Sequence, residues 1–124
     1  VVENVEIPLL LGQASVEKAR AAALDALNRI GLIAIADKLP EELSGGQAQR
    51  VAIARALATQ PKLILADEPT GQLDHPTAQH LFDVLLASLE DTDIALVVAT
   101  HDMTVAERMH KIWHMQHGTL EVKA

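Results

Sequence analysis

The chain has 124 residues, with 10 Lys and Arg against 17 Asp and Glu for a formal charge of −7, which bounds it to one domain or part of one and argues against sequence-independent nucleic-acid binding, since that needs net basic surface. Hydrophobic residues at 49% and charged residues at 22% describe a globular chain, and the lack of cysteine excludes disulfide frameworks and thiolate metal sites and fits a cytosolic setting. Phe82 and Trp113 are the whole aromatic set, too few for base stacking, and no apolar run approaches the roughly 20 residues of a membrane span.

Residues 1–14 read as an extended lead-in, because Val1, Val2, Val5 and Ile7 are β-formers and Pro8 breaks helices. No basic stretch precedes an apolar one there, so no secretory leader is expected. Ser15 is placed to cap a helix in which Val16, Ala19, Ala23, Leu27 and Ile30 recur at helical spacing, ended by Gly31. After an irregular stretch with Pro40, Ser44-Gly45-Gly46-Gln47 has the form of a capping box opening a second helix that runs to Gln60-Pro61. Residues 63–66 are a continuous apolar run, the mark of a strand buried on both faces, tipped by Asp67 and Glu68. Pro76 suits the first turn of a third helix, whose stripe is Ala78, Leu81, Phe82, Leu85, Leu86 and Leu89. Residues 94–100 form a second buried-strand run ending at His101 and Asp102, and Asp102 is placed to cap a short helix through Met109. Residues 111–115 and 119–123 read as a hairpin turning at Gly118. Strands alternating with helices predict an α/β fold with a parallel sheet.

In an open α/β sheet, ligands sit beyond the carboxyl ends of the strands. Asp67 there suits a hard divalent cation such as Mg²⁺. Glu68 beside it can take a proton from an attacking water, and His101 can donate to a phosphoryl oxygen. Ser44-Gly45-Gly46 at a helix start offers free backbone N–H groups and a hydroxyl to an anion, and glycine permits close approach of a phosphate. Together these parts suggest hydrolysis of a nucleoside triphosphate.

The same residues resemble an ATP-binding-cassette (ABC) ATPase. Leu43-Ser44-Gly45-Gly46-Gln47 is similar to the family's signature, and the run from Gln49 to Leu57 to the helix that follows it. Residues 63–70 resemble the Walker B segment, Gly71-Gln72-Leu73-Asp74 the D-loop, and Thr100-His101-Asp102 the switch histidine. The lead-in from Val2 to Leu11 looks like the subgroup serving lipoprotein release and macrolide-type export. The resemblance implies ATP and Mg²⁺ as cofactors, with Asp67 holding Mg²⁺ through water, Glu68 polarising the attacking water and His101 sensing the γ-phosphate. Ser44, Gly45, Gly46 and Gln47 would face ATP bound on a second nucleotide-binding subunit, and Asp74 would cross the same interface. It further implies a head-to-tail dimer under a transmembrane permease subunit, cytoplasmic and peripheral on the inner face of the cell membrane.

The sequence departs from the family pattern at Ala48, where a basic residue is usual in that subgroup, and at Gln72, where Asn is common. No G-x-x-x-x-G-K-S/T occurs in it. The expected architecture is therefore part of a P-loop NTPase (RecA-like) domain without its P-loop half. It comprises the lead-in at 1–14, a helical subdomain with the signature at 15–60, and the C-terminal part of the ATPase core at 61–124. By itself such a chain is expected to bind ATP weakly, not to turn it over, and to expose sheet edges or faces that favour self-association. The alternative is a truncated, noncatalytic binding module; a soluble ABC protein of DNA repair or translation is disfavoured by the absence of a basic face. His110, His114 and His117 are better read as part of a strand region than as a metal site, His75 and His80 as solvated, and Arg50 and Arg55 as surface or packing cations.

Overall fold

A computed structural model describes residues 1–123, so that Ala124, the last residue of the predicted core segment, lies outside the described residues. The amino-terminal half is a cluster of three helices, α1 (Val2–Leu11), α2 (Val16–Arg29) and α3 (Gly45–Ala58), each packed on the other two. α1 corrects the extended lead-in expected for residues 1–14. Val2, Val5 and Glu6 fall at i, i+3 and i+4 and are all buried. Burying two valines completely contributes on the order of 1.5–3 kcal/mol each, which outweighs their β preference of a few tenths. Pro8 removes one helical N–H, that facing the Asn4 carbonyl, while its own carbonyl still accepts from Gly12 N at 3.1 Å and the helix continues. The buried Glu6 carboxylate pairs with Arg20 at 3.2 Å, tying α1 to α2.

α2 begins at Ser15, whose Oγ accepts from Lys18 N at 3.2 Å, as its sequence position predicts. It ends in a Schellman motif: Gly31 takes a φ of +76°, and the amides of Leu32 and Gly31 donate to the carbonyls of Leu27 and Asn28. Two 3₁₀ turns, Ile33–Ile35 and Pro40–Glu42, then carry the chain to α3.

The carboxyl-terminal half opens with a βαβ unit of strand β1 (Leu63–Asp67), helix α4 (His75–Leu89) and strand β2 (Ala95–Ala99). The strands pair in parallel, from Leu63 opposite Ala95 to Asp67 opposite Ala99. Ala78, Leu81, Phe82 and Leu85 of α4 are buried, so the predicted stripe is the one that packs. One sheet face joins that core through Ile64, Leu96 and Val98. The other does not: Leu65 is 74% exposed, Leu63 49% and Val97 46%. The apolar runs thus predict strands, but burial on both faces fails, and the sheet carries the uncovered face expected of a chain lacking further strands.

After β2, helix α5 (Met103–Ala106) is shorter than the run to Met109 expected for it; Arg108 and Met109 close i→i−3 turns instead. The hairpin forms as predicted, β3 (Ile112–Gln116) against β4 (Thr119–Lys123), with His117 at φ +48° and Gly118 at +76° in a two-residue turn of the I′ kind.

Candidate functional site

The chemistry-bearing residues lie at two places, the mouth of α3 and the carboxyl ends of β1 and β2. At the mouth of α3 the capping box is closed in both directions: Gln47 N donates to Ser44 Oγ and Ser44 N donates to Gln47 Oε1, each at 3.1 Å. Ser44 and Gly45 are exposed, and Gly46 and Gln47 are half-buried. The Ser44 oxygen accepts, so its single proton is left to donate outward. Gly46 lies against α4: a Cβ there would sit 3.0 Å from Thr77 Cγ2. Thr77 is in turn fixed by Asp74, which caps α4 by accepting from Thr77 N at 3.3 Å and from Thr77 Oγ1 at 2.6 Å. The Thr77 side-chain bond, with the backbone bond behind it, holds the Asp74 carboxyl below its ordinary range.

At the strand ends, the register that sets Asp67 opposite Ala99 brings residues 68, 100 and 101 together. Glu68 N donates to Ala99 O at 2.7 Å, and Glu68 sits in the left-handed region at φ +45°. A non-glycine residue there carries roughly 1–2 kcal/mol of strain, and the turn holds it through Gly71 N bonded to Glu68 O at 3.0 Å. The Glu68 side chain turns toward β2. Its Oε1 accepts from His101 N at 2.9 Å and contacts His101 Nδ1, and its Oε2 accepts from Thr100 Oγ1 at 3.1 Å. The His101 ring bond first, and the other two after it, hold the Glu68 carboxyl below the usual carboxylate range. His101 itself projects into solvent, its side chain 91% exposed.

Asp67 is exposed at the tip of β1 and borders a cleft of about 200 Å³ beside Gln49, Ile53, Leu65 and Leu81. No hydrogen bond among the described residues engages its carboxylate. No group of three or more His, Cys, Asp or Glu that could hold a metal forms among the described residues, so the histidines from 110 to 117 do not converge. A cation at Asp67 would therefore have fewer than three such protein ligands and otherwise water and phosphate oxygens, the usual manner of Mg²⁺. Of the two arginines read as packing or surface cations, Arg55 Nη1 donates to Asn4 Oδ1 at 3.0 Å, while the Nε of Arg50 is buried without a partner.

The structure thus brings Glu68 and His101 into contact and adds Thr100 to them, a residue to which the sequence alone assigns no role. It ties Asp74 to the mouth of α3 through Thr77, also unassigned from sequence. A Thr three residues after a capping Asp, and a Thr at a strand end before His, were the available signals.

Compared with known proteins, residues 1–71 match the family described as ABC transporter. The lipoprotein-releasing system ATP-binding protein LolD of Gluconobacter oxydans is 50% identical over 118 residues, 95% of this chain and 51% of that protein. Its counterpart in Pseudoalteromonas translucida is 44% identical over 122 residues, 98% of this chain and 53% of that one. Among solved structures, an ATP-binding cassette seen as a dimer in a post-hydrolysis state with ADP and Pi is 41% identical with a TM-score of 0.78, covering 98% of this chain and 55% of that one. The chain spans about half the length of the curated relatives it matches.

Proposed function

Since the chain belongs to the ABC transporter family, we propose that it carries the signature and Walker B parts of an ATP-binding and ATP-hydrolysing subunit that drives an ABC-type membrane transporter. The work done is substrate export or lipoprotein release, the second supported by the names of the relatives. Residues 15–60 form the part that presents the signature, and residues 61–124 the part that holds the hydrolytic groups.

One observation carries the hydrolytic reading: the state of the Glu68 carboxylate. An ionised carboxylate offers about four lone-pair sites. Three are occupied, two on Oε1 by His101 and one on Oε2 by Thr100. The remaining site on Oε2 orients the water that attacks the γ-phosphate, and Glu68 acts as the base toward it. With the Nδ1 edge of His101 committed to Glu68, the exposed far edge of the ring is the part left to meet the γ-phosphate. Asp67, whose carboxylate no hydrogen bond among the described residues engages, is the residue that would hold Mg²⁺ through water, and the ion would supply positive charge to the phosphate oxygens when bound.

Ser44, Gly45, Gly46 and Gln47 serve a nucleotide on a second subunit. Their support is the outward proton of Ser44 and the exposed amides at the mouth of α3, together with the dimeric state of the solved relative. Asp74 crosses the same interface. No helix among the described residues is long and apolar enough to cross a membrane. A transmembrane permease subunit supplies the span and holds the ATPase at the inner face of the cell membrane.

These 124 residues hold no G-x-x-x-x-G-K-S/T phosphate loop. For the chain by itself, the exposed Leu63, Leu65 and Val97 support a second reading, a noncatalytic module that self-associates. Glu68→Gln tests the first reading in an ATPase domain completed with a phosphate-loop half. The variant should bind ATP like the parent and lose turnover by about a hundredfold or more; unchanged turnover removes Glu68 from the reaction.

A further inference from the structure

Thr100 stands between β2 and α5 with both capacities of its hydroxyl in use. Its Oγ1 lies 3.1 Å from Glu68 Oε2 and 3.0 Å from the backbone nitrogen of Asp102. A hydroxyl has one proton and two lone pairs. The Asp102 amide can only donate, so it occupies a lone pair; an ionised carboxylate can only accept, so the hydroxyl proton goes to Oε2. The direction of both bonds is fixed by the partners. Asp102 in turn caps α5, accepting from Thr104 N at 2.9 Å and Thr104 Oγ1 at 2.6 Å, and Thr104 Oγ1 is reached by Gln79 Nε2 of α4 at 3.3 Å.

We propose that Thr100 is a positioning residue for Glu68: its hydroxyl sets the rotation of the carboxylate, leaving the one unoccupied acceptor site on Oε2 aimed outward, and locks that rotation to the start of α5. His101 bonds only Oε1, through its backbone nitrogen and a ring that is 91% exposed, so Thr100 supplies the anchor on Oε2 from the inner side of the turn. The inference rests on Glu68 being the base.

Two variants separate the parts of the side chain. Thr100→Val keeps the shape and removes the hydroxyl, and Thr100→Ser keeps the hydroxyl. Amide hydrogen exchange on the 124-residue chain reads both ends. In Thr100→Val the amides of His101 and Asp102 should each exchange about tenfold faster or more, and Thr100→Ser should restore both. If the Asp102 amide loses protection while that of His101 keeps it, Thr100 only caps the turn and the proposal is overturned. In the completed ATPase domain, Thr100→Val should lower kcat by about tenfold or more with KM for ATP unchanged, and Thr100→Ser should recover it. Equal losses in Val and Ser variants, or a change confined to KM, overturn it as well. Turnover retained by Glu68→Gln would instead sink the assignment of the base, and the exchange result would still report on the hydrogen bond.

Discussion

Gly46→Ala is expected to damage the fold of this chain for a reason that involves no ligand. The added Cβ would lie 3.0 Å from Thr77 Cγ2, inside the 3.5–4.0 Å or so at which carbon atoms attract. The methyl cannot turn aside cheaply, because rotating the side chain breaks the 2.6 Å bond from Thr77 Oγ1 to Asp74. Overpacking of this kind costs about 1–3 kcal/mol, against a gain of up to about 1 kcal/mol for replacing a helical glycine by alanine. With that gain taken as about 0.5–1 kcal/mol, the net expectation is a loss of about 0–2.5 kcal/mol. Thr77→Ser keeps the hydroxyl and deletes the methyl, so in that background Gly46→Ala should stabilise by about 0.5–1 kcal/mol. Urea melts of the parent, the two single variants and the double variant give the coupling directly, expected at about 1–3 kcal/mol. A Gly46→Ala effect that is the same in both backgrounds to within about 0.5 kcal/mol would refute the contact.

Leu27, fully buried among α1, α2 and α3, should cost about 2–5 kcal/mol when changed to Ala. Leu65→Lys, at a position 74% exposed, should leave the unfolding free energy of the monomer from urea melts within about 0.5 kcal/mol of the parent; a large loss at Leu65 would mean that the bare face is covered. Asp74 and Asp102 are both held below their ordinary value of 3.8, first by the side-chain bonds from Thr77 and Thr104 respectively. A carboxyl lowered in the fold stabilises it above the unfolded value and loses that contribution as pH falls through the folded one. Melting temperature should therefore drop below about pH 4, and Asp74→Asn with Asp102→Asn should flatten that limb; an unchanged slope would show that neither cap is anchored by its charge.

The starts of α2, α3 and α5 are legible because capping is local: Ser15, Ser44 with Gln47 and Asp102 accept from an amide two or three positions on. The start of α4 is read from Pro76 instead, and its Asp74 cap is visible only in the structure. α1 is hidden by its composition: Val2, Val5, Glu6 and Leu9 sit at i, i+3, i+4 and i+7 beneath β-forming residues, and the periodicity prevails over the residue preference. The strand sequences identified β1 and β2 but not how many faces they bury, since exposure depends on what else packs there. The meeting of Glu68 with Thr100 and His101 was illegible for a related reason. It spans 32 and 33 residues and exists only in the register that sets Asp67 opposite Ala99, which no local pattern encodes.

The mouth of α3 and the Glu68 cluster are bonded separately and joined through a chain of contacts. Among the described residues no hydrogen bond links Ser44 or Gln47 to Glu68, yet Gly46 abuts Thr77, Thr77 holds Asp74, and the chain from Glu68 to Asp74 is drawn tight by Gly71 N on Glu68 O and Leu73 N on Thr70 O. These contacts form a continuous route from the mouth of α3 to the turn that keeps Glu68 at positive φ. Spatial continuity of this sort shows a route and not a coupling energy. The Gly46 and Thr77 cycle supplies the energy of its narrowest link, and hydrogen exchange at His101 in the same four variants shows how far it carries. Faster exchange at His101 in Gly46→Ala, cancelled by Thr77→Ser, would mean that the mouth of α3 and the Glu68 carboxylate move as one body; an unaffected His101 would leave them energetically independent within a single chain.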